Sequence, residues 1–229
     1  EARTLIDELA RRDLAAARDE GSDRLQLEVL RVLPAPRCRA LLRRWIREHG
    51  RPVPPTAALD RILDELLPAP RDRRPEVKWS GGEVRRFRDG LYLLRPLPAL
   101  DPNWRRSWDG AAVLVLPAGL GRLLMEPVTG HGIAVGRLRD ADLTVGFRQG
   151  GERCRPVGAA RSRRLKQLLQ EAEVPPWERA RLPLLWLDGE LAAVGDLWVC
   201  ENYAAGRGEP GLRLRWERGD AGSGARSDD

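Results

Sequence analysis

The sequence predicts an α+β protein: a mainly helical first domain ending in a β-hairpin, then a small mixed second domain with antiparallel strands and one basic amphipathic helix. Three observations carry this. Apolar residues recur at helical spacing as far as Leu67. Beyond Pro70 the period changes to short strand-like runs punctuated by Asp-Gly pairs. The cationic excess is gathered into one window, 148–166, where seven cations (Arg148, Arg153, Arg155, Arg161, Arg163, Arg164, Lys166) meet one anion, Glu152, an excess equal to the net +6 of the whole chain.

The first domain is expected over 1–95. Leu5, Ile6, Leu9 and Leu14 place a helix over 1–18. Residue 1 is Glu and the pattern is already helical there, so the expectation is a longer polypeptide with an upstream domain. Residues 25–33 read equally as a short strand or a helix entry. Cys38, Leu41, Leu42, Trp45 and Ile46 follow the i, i+3, i+4, i+7, i+8 rule and mark an amphipathic helix that Gly50 stops. After the RPVPP break, Thr56 is the expected N-cap of a helix burying Leu59, Ile62, Leu63, Leu66 and Leu67. Strands then flank Asp89-Gly90, the strongest hairpin signal in this half.

The stretch 96–103 holds three prolines and no periodicity, and is expected to be a linker. In the second domain, 104–218, residues 113–116, 121–127 and 141–148 are strand-like. A helix is expected over 162–172, with Ser162 as N-cap and Leu165, Leu168, Leu169 and Ala172 as its apolar stripe. Pro175-Pro176 opens a short turn, and 182–195 form a second hairpin around Asp188-Gly189. The last strands fall near 197–204 and 211–216, and the tail 219–229 is expected to be disordered.

Composition narrows the function classes. At 42% hydrophobic and 32% charged residues, the 229-residue chain is that of a folded protein. No apolar run approaches the ~20 residues of a membrane span, and no signal-peptide pattern is legible, so the expected location is the cytoplasm. Three separated cysteines (Cys38, Cys154, Cys200) form no CxxC pair and read as reduced thiols; with only His49 and His131 beside them, the four clustered ligands of a zinc site are missing. No metal and no cofactor are expected in this chain.

Motif matches elsewhere are weak. Ser80-Gly81-Gly82 continues as Glu-Val-Arg ahead of a strand, so it reads as a turn. The G-x-G-x-x-G spelled by Gly206, Gly208 and Gly211 is interrupted by Pro210 and precedes no helix. Acid pairs such as Asp7/Glu8 and Asp140/Asp142 read as surface carboxylates, so no catalytic residue is assigned.

The basic window is the candidate site. A concentrated excess of guanidinium suits a phosphate backbone. On the expected helix, Arg163 and Lys166 lie opposite the leucine stripe, and arginines in a first turn become favourable when an anion docks there. Gly150 and Gly151 allow backbone N–H groups to approach a ligand. The candidate RNA contacts are Arg148, Gly150, Gly151, Arg153, Arg155, Arg163, Arg164, Lys166 and Arg179, with Arg43, Arg44 and Arg47 from the helical half; Trp177 is the one tryptophan placed to stack on a base. The competing reading is a protein-interaction or dimerisation module whose arginines reflect only a genome that writes Arg for Lys, of which there are two.

Residues 148–195 resemble the C-terminal domain of the bacterial tRNA(Ile)-lysidine synthetase family. The motifs are R-x-G-G-E-R-x-x-P-x-G from Arg148 to Gly158, L-K-x-L-L at 165–169, V-P-P-W-E-R at 174–179, L-P-L-L at 182–185 and D-G-E-L-A-A-V-G at 188–195. The L-I-D-E-L opening, Arg43-Arg44-Trp45 and the hairpin 84–94 resemble, more loosely, that family's middle substrate-binding domain. The resemblance implies the tRNA-holding part of a ligase, recognising the phosphate backbone and, through its last domain, the acceptor stem; the ligase uses ATP with Mg to adenylate the wobble cytidine of an isoleucine tRNA with a CAU anticodon, lysine then attacking to give lysidine. It implies that the chemistry belongs to an N-terminal PP-loop ATPase domain with an SGGxDS motif, which this chain does not contain. tRNA is thus the implied partner, and a homodimer is left open.

Overall fold

In the computed structural model, residues 1–19 and 24–219 are described. The expected tail 219–229 therefore lies outside the described residues, apart from Gly219. Two compact units separate between Leu97 and Pro98, inside the proline-rich stretch. Both mix helices with antiparallel sheets, so the chain is α+β.

The first unit opens with α1 (Ala2–Ala17), whose buried side is Ala10, Asp13, Leu14 and Ala17, while Leu5 and Ile6 stay exposed. Buried Asp13 is matched by Arg37, which donates from both Nε (3.0 Å) and Nη2 (2.6 Å). The ambiguous stretch adopts both readings: β1 (Leu25–Gln26) runs directly into α2 (Leu27–Val32). Helix α3 (Ala35–Glu48) buries all five residues of its expected stripe, and Gly50 follows at φ 64°. Thr56 is not a cap. It is the first residue of α4 (Thr56–Arg61), after Pro55, and its hydroxyl accepts Arg43 Nη2 at 3.2 Å.

Helix α4 widens into a π-helical turn, Ile62–Leu66. The released carbonyls meet Arg86, 2% exposed, whose Nη1 donates to Leu66 O (2.9 Å) and Ala69 O and whose Nε donates to Arg88 O (3.1 Å). Arg31 donates to Leu67 O from Nε (3.0 Å) and Nη2 (2.8 Å).

Strands β2 (Glu76–Trp79), β3 (Gly82–Phe87) and β4 (Gly90–Leu94) join β1 in the order β1-β4-β3-β2. Ser80-Gly81 is the β2–β3 turn, as its context suggested. The next hairpin shifts by one residue from expectation. Phe87 pairs with Gly90, so Arg88-Asp89 form the turn, with Arg88 at φ 53°. Helices and sheet share one core that includes Trp45, Ile46, Leu59, Val77, Val84 and Leu91.

The second unit carries β5 (Arg105–Ser107), β6 (Leu114–Val115), β7 (Gly121–Thr129), β8 (Ile133–Ala134), α5 (Val135–Leu138), β9 (Leu143–Gly146), β10 (Arg153–Cys154), β11 (Arg163–Arg164), α6 (Leu165–Glu171), α7 (Pro176–Arg179), β12 (Leu184–Leu187), β13 (Glu190–Val194), β14 (Trp198–Val199) and β15 (Pro210–Arg218). Two antiparallel sheets, β14-β13-β12-β9-β5 and β6-β7-β15-β8, contribute to one core around Phe147, Leu169, Leu185 and Trp216. The β12–β13 turn is Asp188-Gly189, both at positive φ (51° and 81°), the backbone that favours this pair in tight hairpins. The G-x-G-x-x-G spelling runs into β15; a Cβ at Gly211 would lie 2.0 Å from His131 O, so this glycine serves a close backbone approach.

Candidate nucleic-acid interface

The window 148–166 folds as a basic arm on the second unit. Gly150 and Gly151 take φ of 107° and 89°, a region that strains any side chain. The chain doubles back there and brings Glu152 into the turn. Its Oε1 accepts the N–H groups of Gln149 (2.6 Å) and Gly150 (2.7 Å), and Arg148 Nε faces Oε2 at 3.5 Å. Converging N–H groups are the expected anion nest, but the anion they hold is the protein's own carboxylate. Gly150 and Gly151 therefore shape the arm, and the Gly150 N–H is occupied. The signal that could have disclosed this is Glu152 itself, the sole acid of the window.

Past the turn, β10 pairs with β11, Arg153 opposite Arg164 and Cys154 opposite Arg163. Helix α6 begins at Leu165, three residues later than expected, with Arg164 at its N-cap position. Ser162 caps nothing, and Arg163 and Arg164 lie outside the first helical turn. The reason is long-range pairing: Arg163 and Arg164 are taken into β11 against β10 before the helix begins. The Leu165 N–H donates to Glu152 O at 2.8 Å. The apolar stripe is as expected: Leu165, Leu168 and Leu169 are buried.

The cysteine reading needs correction too. Cys154 and Cys200 form a disulfide, while Cys38 is free and buried, its thiol pushed up to about 11 chiefly by burial. Their separation of 46 residues hides the contact. It arises because the chain after β10 lies antiparallel to the chain after β14, with Glu201 N donating to Arg155 O (2.7 Å) and Val157 N to Val199 O (3.3 Å).

The candidate cations divide into two groups. Arg148 faces Glu152. Arg163 makes a two-pronged pair with Glu171, 2.6 Å for Nη1–Oε2, which raises the guanidinium pKa and holds the Glu171 carboxyl below its ordinary range. Arg179 points inward, 8% exposed, and donates Nε to Val174 O at 2.6 Å, closing the α6–α7 connection; Trp177 is buried in the core and offers no stacking face. Arg153 is exposed, with Nη2 donating to Ser162 O at 3.0 Å. Arg155, Arg161, Arg164 and Lys166 are exposed, and no hydrogen bond or ion pair engages their side chains among the described residues.

On the first unit, α3 carries Arg43, Arg44 and Arg47. Arg43 donates to Thr56, Arg44 Nε pairs with Glu48 at 2.7 Å, and Arg47 is exposed without a partner among the described residues. No group of three or more His, Cys, Asp or Glu that could hold a metal occurs among the described residues, and no described helix is long and apolar enough to cross a membrane.

Residues 25–92 match the TilS substrate binding domain and residues 143–216 the TilS substrate C-terminal domain. The chain is 38% identical over 219 residues to the tRNA(Ile)-lysidine synthase of Methylococcus capsulatus, covering 94% of this chain and 49% of that protein. It is 38% identical over 205 residues to that of Coxiella burnetii, covering 90% of this chain and 45% of that protein. The chain thus spans about half the length of these curated relatives. A crystal structure of a TilS C-terminal domain shows a weak likeness, with a TM-score of 0.40 and 23% identity over 49% of this chain and 98% of that one.

Proposed function

The chain carries the substrate-binding and C-terminal domains of the tRNA(Ile)-lysidine synthase family, and on that premise we propose that it grips the phosphate backbone of a tRNA through the basic arm. The observation that supports this most is the set of four exposed cations without a partner among the described residues, Arg155, Arg161, Arg164 and Lys166, on one short arm. An arm assembled for fold stability would pair its charges, as Arg148 and Arg163 do. Cations held in water within one short segment suit a polyanion whose counterions they displace. Backbone contact also fits RNA duplexes, whose deep groove side chains cannot read.

In this reading the two domains supply recognition, and the ligation of lysine to the wobble cytidine of an isoleucine tRNA, with ATP and Mg, belongs to the rest of a longer cytoplasmic enzyme. The CAU anticodon is the substrate feature that such an enzyme requires. Titrating the 229-residue chain against tRNA at several salt concentrations tests the interface. The logarithm of affinity falls linearly with the logarithm of salt, and replacing the four free cations by Ala lowers that slope by about 3, at ~0.7–0.9 per phosphate contact. An unchanged slope overturns the assignment and favours a protein-interaction role.

A further inference from the structure

Cys154 and Cys200 both line a cleft of about 590 Å³ that residues of the basic arm help to form. We propose that their bond is a reversible redox switch, opened and closed by a small charged thiol that enters this cleft, and that its state sets the order of the arm and so its grip on RNA. The last clause rests on the RNA-binding reading above; the switch itself does not.

The bond lies where it can control the arm without carrying the core. The two Cα atoms are 5.5 Å apart, inside the range that a disulfide spans. Cys154 ends β10, just before the stretch that carries Arg155 and Arg161, and Cys200 directly follows β14. With Leu168 the two cysteines form a small cluster separate from the main core of this unit. Past the bond, residues 155–158 are tied to the chain after β14 by Glu201 N to Arg155 O (2.7 Å), Val157 N to Val199 O (3.3 Å) and Gly158 N to Glu201 Oε2 (2.9 Å). Arg155, Val157 and Gly158 are themselves exposed. Backbone hydrogen bonds in water with little apolar packing belong to the low end of local stability, so the covalent link decides how firmly this stretch is held.

The cleft indicates the reactant. Both cysteines are buried, and a cleft of this volume admits a small molecule to the pair. Its lining mixes cations (Arg153, Arg155, Arg161) with carboxylates (Glu152, Glu190, Glu201), which suits a thiol bearing both carboxylate and ammonium groups. The small thiolate attacks one cysteine sulfur. The protein S–S bond breaks, a mixed disulfide forms, and the other cysteine leaves as a thiolate that takes up a proton. A second small thiol then displaces the first. In sum, two small thiols become one small disulfide while two electrons and two protons pass to the protein, and a small disulfide reverses both steps. Thiol pools of this kind are what keep lasting structural disulfides rare in the cytoplasm. Cys38 stands apart from the exchange: it is free and buried in the first unit, its thiol pushed up to about 11.

The test poises the 229-residue chain in glutathione buffers of varied reduced-to-oxidised ratio and counts alkylated cysteines after denaturation. One alkylated cysteine, Cys38, in oxidised buffer becomes three in reduced buffer, and oxidised glutathione restores the first state. On reduction, amide exchange at Val157, Gly158 and Glu201 rises about tenfold, while exchange in α3 and β12 is unchanged. tRNA affinity, read by fluorescence anisotropy, falls about threefold to tenfold because binding must then order the arm; the salt slope stays the same because no cation is lost. Cys154→Ser and Cys200→Ser show the reduced values in either buffer. A bond that never forms, a bond that resists every glutathione ratio, or equal exchange at the three amides in both states overturns the switch. Loss of protection in β12 on reduction overturns it as well, since the bond would then be holding the core. Changed exchange with unchanged tRNA affinity overturns the link to RNA. Absence of tRNA binding in both states overturns the RNA-binding reading instead, and the exchange measurement then judges the switch alone.

Discussion

Helix α3 in the first unit and the basic arm in the second are both arginine-rich, yet they hold their charge differently. On α3, Arg44 pairs with Glu48 one turn away and Arg43 leans on Thr56, leaving Arg47 as the single unpartnered member of the candidate trio among the described residues. The arm satisfies its backbone through Glu152 and through the β10–β11 pairing, and so leaves four side chains in water. Available charge, not arginine count, distinguishes an interface from a solvated face. Surface ion pairs contribute little to stability, but they remove a cation from the pool that can displace counterions from a nucleic acid.

The contrast can be broken at several points. The largest effect is expected from replacing Arg155, Arg161, Arg164 and Lys166 together by Ala, which lowers tRNA affinity about 100-fold near 0.15 M salt. The parallel change of Arg43, Arg44 and Arg47 lowers it less than about tenfold, since one of the three side chains is unengaged. Equal losses in the two variants, measured by filter binding, would erase the distinction.

Glu152→Ala tests whether the arm is built around its internal anion. The side chain is 10% exposed, and its removal breaks its two hydrogen bonds from the exposed Gln149 and Gly150 N–H groups, costing about 0.5–1.5 kcal/mol each in urea unfolding. Amide exchange should rise at 149–154 first. No change in exchange there would mean that the glycine turn holds itself.

The smallest effect concerns the Arg163–Glu171 pair. The carboxyl is depressed by its hydrogen bond to Arg163. The stabilisation from this pair is therefore fully present above the unfolded carboxylate range and is lost as pH falls through the lower folded value. Side-chain NMR should place the Glu171 titration below 4.5, and Arg163→Ala should return it there. A titration insensitive to Arg163→Ala would show that the pair does not form in solution.

Much of the fold was legible from spacing. The α3 stripe is buried residue for residue, and the Asp188-Gly189 turn sits where the pair predicts it, because helical period and tight-turn chemistry are local properties. The misreadings arose where long-range partners overrode local preference. Ser162 and Thr56 are ordinary N-cap residues, but β10 captured the chain after Ser162 as strand, and Pro55 preceded Thr56 as the helix entry. The basic window was visible as composition, while the separation of free from engaged cations depended on Glu152 and Glu171 folding back on it. That Glu190, Glu201, Asn202 and Tyr203 line one cleft together with arm residues left no local trace, since they are distant from the arm along the chain.

Arg86 carries a consequence for how the first unit opens. Its guanidinium spans from β3 to carbonyls at the end of and just after the π-helical turn and to Arg88 in the hairpin bend. Peeling the hairpin from the helices would break all of those hydrogen bonds at once, so the two halves should unfold in a single cooperative step. A lysine there, with one compact charge and no planar fork, could not serve the separate oxygens simultaneously, and the unit would then fray as two pieces.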